Sequence, residues 1–151
     1  MVMTETDWIT HTLAELQQAG YRSGGARTAV VEQLAHQKCC LTAQEIFDHL
    51  RDAGKTVGVA SVYRILDVLT EMELVQRVDV GDGVSRFEPA YPSGDHHHHL
   101  ICTNCGGVVA FEDVELERAI SRLSDDLDAV IEGHDVVLRG LCSSCKPLPG
   151  T

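Results

Sequence analysis

The sequence predicts an α+β fold in two parts, and three observations carry that expectation. Apolar residues recur at helical spacing in four successive stretches, the last ending at Met72. A two-strand pattern then flanks Gly81-Asp82-Gly83. The remainder reads β-β-α-β, punctuated by Cys102-x-x-Cys105 and Cys142-x-x-Cys145.

In "TDWITHTLAELQQAG" the apolar set is Trp8, Ile9, Leu13 and Leu16, with Gly20 as the stop. "ARTAVVEQLAHQ" places Val30, Val31, Leu34 and Ala35 on one face. Thr42-Ala43-Gln44-Glu45 is a capping box, in which threonine and glutamate side chains satisfy each other's orphan backbone amides. Its helix carries Ile46, Phe47 and Leu50 and stops near Gly54. "SVYRILDVLTEM" puts Val62, Ile65, Leu66, Leu69 and Met72 on one stripe and Ala60, Tyr63, Arg64 and Asp67 opposite. "LVQRVDV" and "VSRFEP" around the Gly-Asp-Gly turn make a hairpin. Helices followed by a two-stranded hairpin outline a winged helix-turn-helix over residues 1–88. "PAYPSGD" reads as a hinge, through residue 95.

Residues 96–151 form the second part. "HHHLIC" and "VVAF" are strands, "DVELERAISRLSDDLDAVIEG" is an amphipathic helix with Leu116, Ile120, Leu123, Leu127 and Val130 inward, and "DVVLRGLC" is a last strand. Three strands and one helix have little core of their own. A small α/β dimerisation domain, completing its sheet across a homodimer interface, is the expectation.

Composition narrows the class. The chain has 151 residues, enough for one ordinary domain or two small ones. With 44% hydrophobic residues it should fold without disulfides. No run of eighteen apolar residues occurs, and the N-terminus has no basic region ahead of an apolar stretch. A cytoplasmic protein without a membrane partner is expected. Six cysteines then point to metal or redox chemistry. The net charge of −11 opposes nucleic-acid binding, and neither the stretch up to Ser85 nor the rest has a basic excess. Any DNA contact must therefore use a local patch.

Cys102, Cys105, Cys142 and Cys145 form a C-x2-C … C-x2-C set. A two-residue gap folds as a knuckle that aims both sulfurs at one point, and two knuckles supply the tetrahedral thiolate shell that zinc prefers. A thioredoxin-like redox pair would need a βαβ pattern with a helix starting at the pair, and none is present. A closed structural Zn2+ site is the reading.

The run His96–His99 leads into this set. In an extended strand alternate side chains face opposite ways. His96 and His98 would then serve one site and His97 and His99 another. Further ligands come from His134, from Glu112, Asp113, Glu115 and Glu117, from Glu88, or from Cys40. Such mixed ligands suit Zn, Fe(II), Mn or Ni. For Cys39 and Cys40, ligands and buried small apolar residues are equal readings.

"GVASVYRILDVLTEMELV", the hairpin, "HHHHLICTNCG" and the closing Cys-x-x-Cys, in this order, resemble the ferric uptake regulator family. The resemblance runs from about Tyr21 to Cys145. It implies a homodimeric, metal-dependent transcription regulator with an N-terminal winged helix. It assigns Cys102, Cys105, Cys142 and Cys145 to a structural zinc site, and His96, His98, Glu117 and His134 to a site in the dimerisation domain. Glu88, His97 and His99 match a sensory site at the hinge. That site commonly takes a histidine just before the third helix, and the aligned residue here is Cys40. The choice of Glu117 over Glu115 comes from the resemblance alone.

In a helix-turn-helix the second helix enters the major groove with its N-terminal residues nearest the bases. Ser61, Tyr63 and Arg64 are the candidates, with Arg64 able to fork onto a phosphate or a guanine. The resemblance adds Arg27, near Tyr21 and Arg22. The expected function is metal-responsive binding to a palindromic operator in double-stranded DNA, repressing metal-uptake genes when Fe2+ or Zn2+ is bound, ahead of Mn2+ or Ni2+. A peroxide sensor of the same fold, using iron to oxidise His97 or His99, is one alternative. A zinc-binding interaction module without DNA affinity is another. An enzyme is not expected, since neither H-E-x-x-H nor the paired deaminase signature occurs.

Overall fold

The polypeptide divides into two units, Met1–Asp95 and His96–Thr151. A computed structural model describes residues 3–22, 24–37, 39–91 and 97–150. Residues 92–95 of the expected hinge, and His96, lie outside the described residues.

The first unit contains α1 (Glu5–Gln18), α2 (Gly25–Ala35), α3 (Ala43–Asp52), α4 (Val59–Glu71), β1 (Val75–Asp79) and β2 (Ser85–Pro89). The capping box at α3 is formed: Thr42 Oγ1 accepts from the Glu45 N–H at 3.0 Å, and the Glu45 carboxylate accepts from the Thr42 N–H at 3.2 Å. Thr4 and Asp7 make the same exchange at α1, which sequence reading had missed. Gly20 and Gly54 end α1 and α3 at positive φ, where a side chain is strained. The apolar stripes converge on one core that includes Trp8, Leu16, Val30, Val31, Leu34, Ile46, Leu50, Val62, Leu66, Leu69 and Phe87. Each such side chain contributes roughly 1.5–3 kcal/mol by leaving water. The Trp8 indole N–H also donates to the Leu74 carbonyl at 3.2 Å, tying α1 to the start of the hairpin.

The hairpin pairs β1 with β2 antiparallel, from Val75↔Pro89 to Asp79↔Ser85. Its loop turns through Gly81 and Gly83 at positive φ. Asp79 accepts from the Gly81 N–H, and Asp82 accepts from the Val84 N–H. Arg86, itself buried, pairs with Asp82 at 2.9 Å. A third short edge joins this sheet: Leu41 bridges Phe87 through two backbone hydrogen bonds of 3.0 and 2.8 Å. A single bridged residue has no periodic signature, so this link was not legible in the sequence.

The second unit contains β3 (His98–Cys102), β4 (Val108–Phe111), α5 (Val114–Asp126) and β5 (Val137–Gly140). Its sheet runs β4-β3-β5, with β4 antiparallel and β5 parallel to β3. Helix α5 provides the crossover, capped by Asp113, which accepts from the Leu116 N–H at 2.8 Å. The helix is shorter than its apolar pattern implies. It ends at Asp126 because Asp128 takes a positive φ and the Ala129 N–H returns to the Ser124 carbonyl. Leu127 and Val130, expected inward, are therefore 66% and 88% exposed.

Replacing Thr42 by alanine removes one side of the α3 cap, and such losses cost about 1 kcal/mol. Urea unfolding followed by Trp8 fluorescence should show a lower midpoint for Thr42→Ala. An unchanged midpoint would contradict the cap's role.

Candidate metal centres and nucleic-acid surface

The two knuckles meet. One ligand atom from each of Cys102, Cys105, Cys142 and Cys145 lies within 4.8 Å of the other three. The fold explains the convergence. Cys102 ends β3, Cys105 closes the following turn, and parallel pairing of β3 with β5 delivers Cys142 to the same edge. The sulfurs are wired to the backbone: Cys105 N–H and Cys142 N–H point at the Cys102 sulfur at 3.5 and 3.4 Å, and Gly107 N–H points at the Cys105 sulfur at 3.4 Å. The Asn104 amide donates to the Cys145 sulfur. The N–H groups of Cys105 and Cys142 bring the Cys102 thiol down to about 6, against the opposing effect of burial. Cys145 goes the other way, to about 11. There the Asn104 amide favours ionisation, but the Cys142 thiol, burial and the two remaining thiols outweigh it. Clustered sulfurs resist full ionisation unless a cation compensates their charge.

Histidines lie on both faces of the chain at β3 and the residue before it. His98 is buried at 2% exposure, and its Nε2 lies 2.5 Å from Glu117, which also reaches His134 Nε2 at 2.8 Å. Phe111 packs beside the His98 ring. The backbone N–H of Val136 donates to His98 Nδ1 at 3.2 Å. A neutral His98 therefore carries its proton on Nε2 and donates it to Glu117. On the other face His97 and His99 sit with ring centroids 5.0 Å apart, and each can offer a ring nitrogen within 4.8 Å of the other's. The acidic alternatives sort themselves within this unit. Glu117 joins His98, whereas Glu115 pairs with Arg118 on the exposed side of α5.

In the first unit, Glu88 is buried and accepts from Gln76 at 2.9 Å. A carboxylate oxygen of Glu88 and the Cys39 sulfur are within 4.8 Å of one another. The resemblance pointed to Cys40. Its sulfur lies 3.1 Å from that of Cys39, and both residues are half-buried. Ionisation of Cys40 is pushed up, first by its hydrogen bond with Cys39, then by burial and by the charges of Cys39 and Glu88, with Arg86 opposing.

The same unit presents a polar face on α4. Tyr63 is 54% exposed, and Arg64 and Asp67 are exposed beside it. Arg64 holds the Ser61 hydroxyl at 3.2 Å. Ser61, Arg64 and Arg27 line one groove together with Gly24 and Ala26 at the start of α2. Arg27 donates to the Arg22 carbonyl at 2.9 Å and stacks over Tyr21. Sequence reading missed Arg77. It stands over Phe87 and lines a second groove with Tyr63, Asp67 and the hairpin loop. Burial along β1 does not alternate, so no strand pattern marked Arg77. Among the described residues no helix is long and apolar enough to cross a membrane.

Zinc uptake by metal-free protein should release fewer protons than the four cysteines could supply, because Cys102 is already largely ionised at neutral pH. A weakly buffered titration measures this directly. Release of one proton from every cysteine would contradict the depressed Cys102 value.

Comparison with known proteins gives a consistent answer. The ferric uptake regulator family model matches residues 18–139. The ferric uptake regulation protein of Bacillus subtilis is 32% identical over 134 residues, covering 87% of this chain and 90% of its own. The ferric uptake regulator of Vibrio cholerae superposes with a TM-score of 0.74 at 30% identity, over 85% of this chain and 98% of that one. That of Helicobacter pylori, described as having three functional metal-binding sites, superposes with a TM-score of 0.81 at 25% identity, over 97% of both chains. The chain belongs to the ferric uptake regulator family, whose members are metal-responsive transcriptional regulators that bind DNA as dimers.

Proposed function

We propose that this protein is a cytoplasmic, homodimeric repressor that binds a palindromic operator when a regulatory metal ion is bound, and that it is not an enzyme. The observation that carries the reading is the division of β3 into two ligand-bearing faces ending at a four-thiol cluster.

Cys102, Cys105, Cys142 and Cys145 would hold structural zinc, because a closed set of four thiols matches its preference. Glu88, His97 and His99, with a thiol from Cys39 or Cys40, would hold the regulatory ion. Their mixed nitrogen, oxygen and sulfur donors suit Zn(II) or Fe(II) ahead of Mn(II) or Ni(II). His98, Glu117 and His134, joined by His96, are the further set. A regulatory ion supplies a charge that groups from both parts of the chain share. The chain's own task is to offer those groups in one arrangement that also suits DNA.

The apolar residues left exposed on the second unit, Val109, Leu123, Leu127, Leu138 and Leu141 among them, support a dimer interface. DNA contact would fall to Arg27, Ser61, Tyr63 and Arg64. Helices α2 and α4 both start at glycines without side-chain caps, leaving backbone N–H groups for phosphates. The local Arg27–Arg64 groove offsets the acidic whole.

The test is a titration of Zn(II), Fe(II), Mn(II) and Ni(II), each buffered and anaerobic, into protein that retains only structural zinc. Binding to DNA from the protein's own upstream region is the readout. One ion should raise affinity roughly ten- to hundredfold. Equal binding with and without every ion would overturn the reading. In the loaded state Arg64→Ala should weaken DNA binding by about 1–3 kcal/mol, and an unchanged affinity would remove Arg64 from the interface.

A further inference from the structure

Cys39 and Cys40 lie outside the four-thiol cluster. They are adjacent in sequence, their sulfurs are 3.1 Å apart, and both are half-buried. Their place in the fold is unusual. Leu41 follows at once, and both of its backbone hydrogen bonds go to Phe87 of β2. Thr42 comes next and caps α3. On β2, Phe87 is flanked by Arg86, which anchors the hairpin loop through Asp82, and by Glu88. The two sulfurs therefore sit where the helical layer joins the hairpin.

We propose that Cys39 and Cys40 form a peroxide-responsive dithiol, which a hydroperoxide converts to a vicinal disulfide that weakens DNA binding until a thiol reductant restores it. The chemistry balances within the pair and the peroxide. The Cys39 sulfur attacks a peroxide oxygen as a thiolate while Cys40 keeps its proton, the O–O bond breaks, and the departing oxygen leaves protonated as water or alcohol. The attacking sulfur is then a sulfenic acid. The neighbouring sulfur gives up its proton, attacks the sulfenic sulfur and expels water as the S–O bond breaks. Two electrons pass from the sulfurs to the peroxide. The reverse step needs an external thiol, which attacks one sulfur and takes the pair back through a mixed disulfide.

Two features make this a switch and not a staple. Adjacent Cα atoms are about 3.8 Å apart, whereas disulfides favour about 4.4–6.8 Å. Closing the ring therefore forces the backbone at residues 39 and 40 to shift, and the strain keeps the bond easily reduced. The shift has a direct route outward, because the next residue is held to β2 by two hydrogen bonds. The position of the hairpin, and of Glu88 on it, then depends on the oxidation state. This chemistry uses sulfur alone and needs no iron and no histidine oxidation.

The consequence for DNA rests on the proposed function, but the sulfur chemistry does not. Full-length, iron-free protein that retains only structural zinc is treated with hydrogen peroxide, remaining thiols are alkylated, and the chain is cut with trypsin; for the DNA readout the treated protein is then given Zn(II). The peptide from Cys39 to Arg51 contains both cysteines and no other. It should appear about 2 Da lighter than the dithiol and unalkylated, and return as the doubly alkylated form after dithiothreitol. Cys40→Ser should abolish the 2 Da loss. In parallel, DNA affinity of the treated protein should fall roughly tenfold and recover on reduction. A doubly alkylated peptide after peroxide overturns the proposal, as does a disulfide that leaves DNA affinity unchanged. Protein that binds no DNA before treatment overturns the regulatory reading and the DNA consequence, while the mass readout still decides the disulfide.

Discussion

The second unit depends on holding four sulfurs at one point. Its buried apolar contribution is small, with Ile101 and Cys102 the buried hydrophobic residues of the sheet. A structural zinc bound to a small domain contributes about 10–16 kcal/mol, several times the roughly 1.5–3 kcal/mol from burying a side chain such as Ile101. The cluster also sets geometry. It locks the end of β3 to the segment after β5, in the register that pairs Cys102 with Gly140. That register fixes which face of β3 each histidine occupies. A slip of one residue would exchange the His98 face with the His97–His99 face. The sulfur cluster is thus the condition for the two histidine sets, not a separate feature beside them.

The first unit solves a different problem, that of presenting cations from an acidic chain. Its core is conventional, with the stripes of four helices closed by Phe87 and by the Trp8–Leu74 hydrogen bond. This leaves one face of α4 unburied, and the α2 terminus brings Arg27 alongside Arg64. The acidic residues Asp67 and Glu71 lie on the same helix, so the usable patch is short. Phosphate contacts from such a patch are electrostatic and weaken steeply with salt. On the proposed function, an ion that favoured one arrangement of two copies would thereby gain leverage over binding.

Much of this was legible in the sequence, for physical reasons. Helices with apolar stripes, the Thr42 box and the Gly-Asp-Gly turn are local signals, and local signals survive without a structure. The two Cys-x-x-Cys pairs were legible because thiolate chemistry leaves few other uses for that spacing. The alternation along β3 followed from strand geometry alone. What escaped was non-local. The Leu41–Phe87 bridge rests on one residue and has no pattern. The approach of Cys39 to Glu88 is likewise non-local, whereas Cys40 is the residue that the resemblance aligns. Helix α5 was read too long because its apolar spacing continues past Asp126, while the backbone reversal at Asp128 does not need a glycine. The exposed Leu127 and Val130 carry the apolar pattern of a surface that a second copy would cover.

The central claim is that one ion and one DNA site favour the same arrangement of the chain. Linkage makes that claim reciprocal: any factor by which the ion tightens DNA binding must equal the factor by which DNA tightens ion binding. The most direct test is the affinity of the regulatory ion, measured by competition with a chelator, in the presence and absence of saturating operator DNA. The account predicts tighter ion binding with DNA present, by the same factor that the ion adds to DNA affinity. An ion affinity that does not change when DNA is added would contradict it.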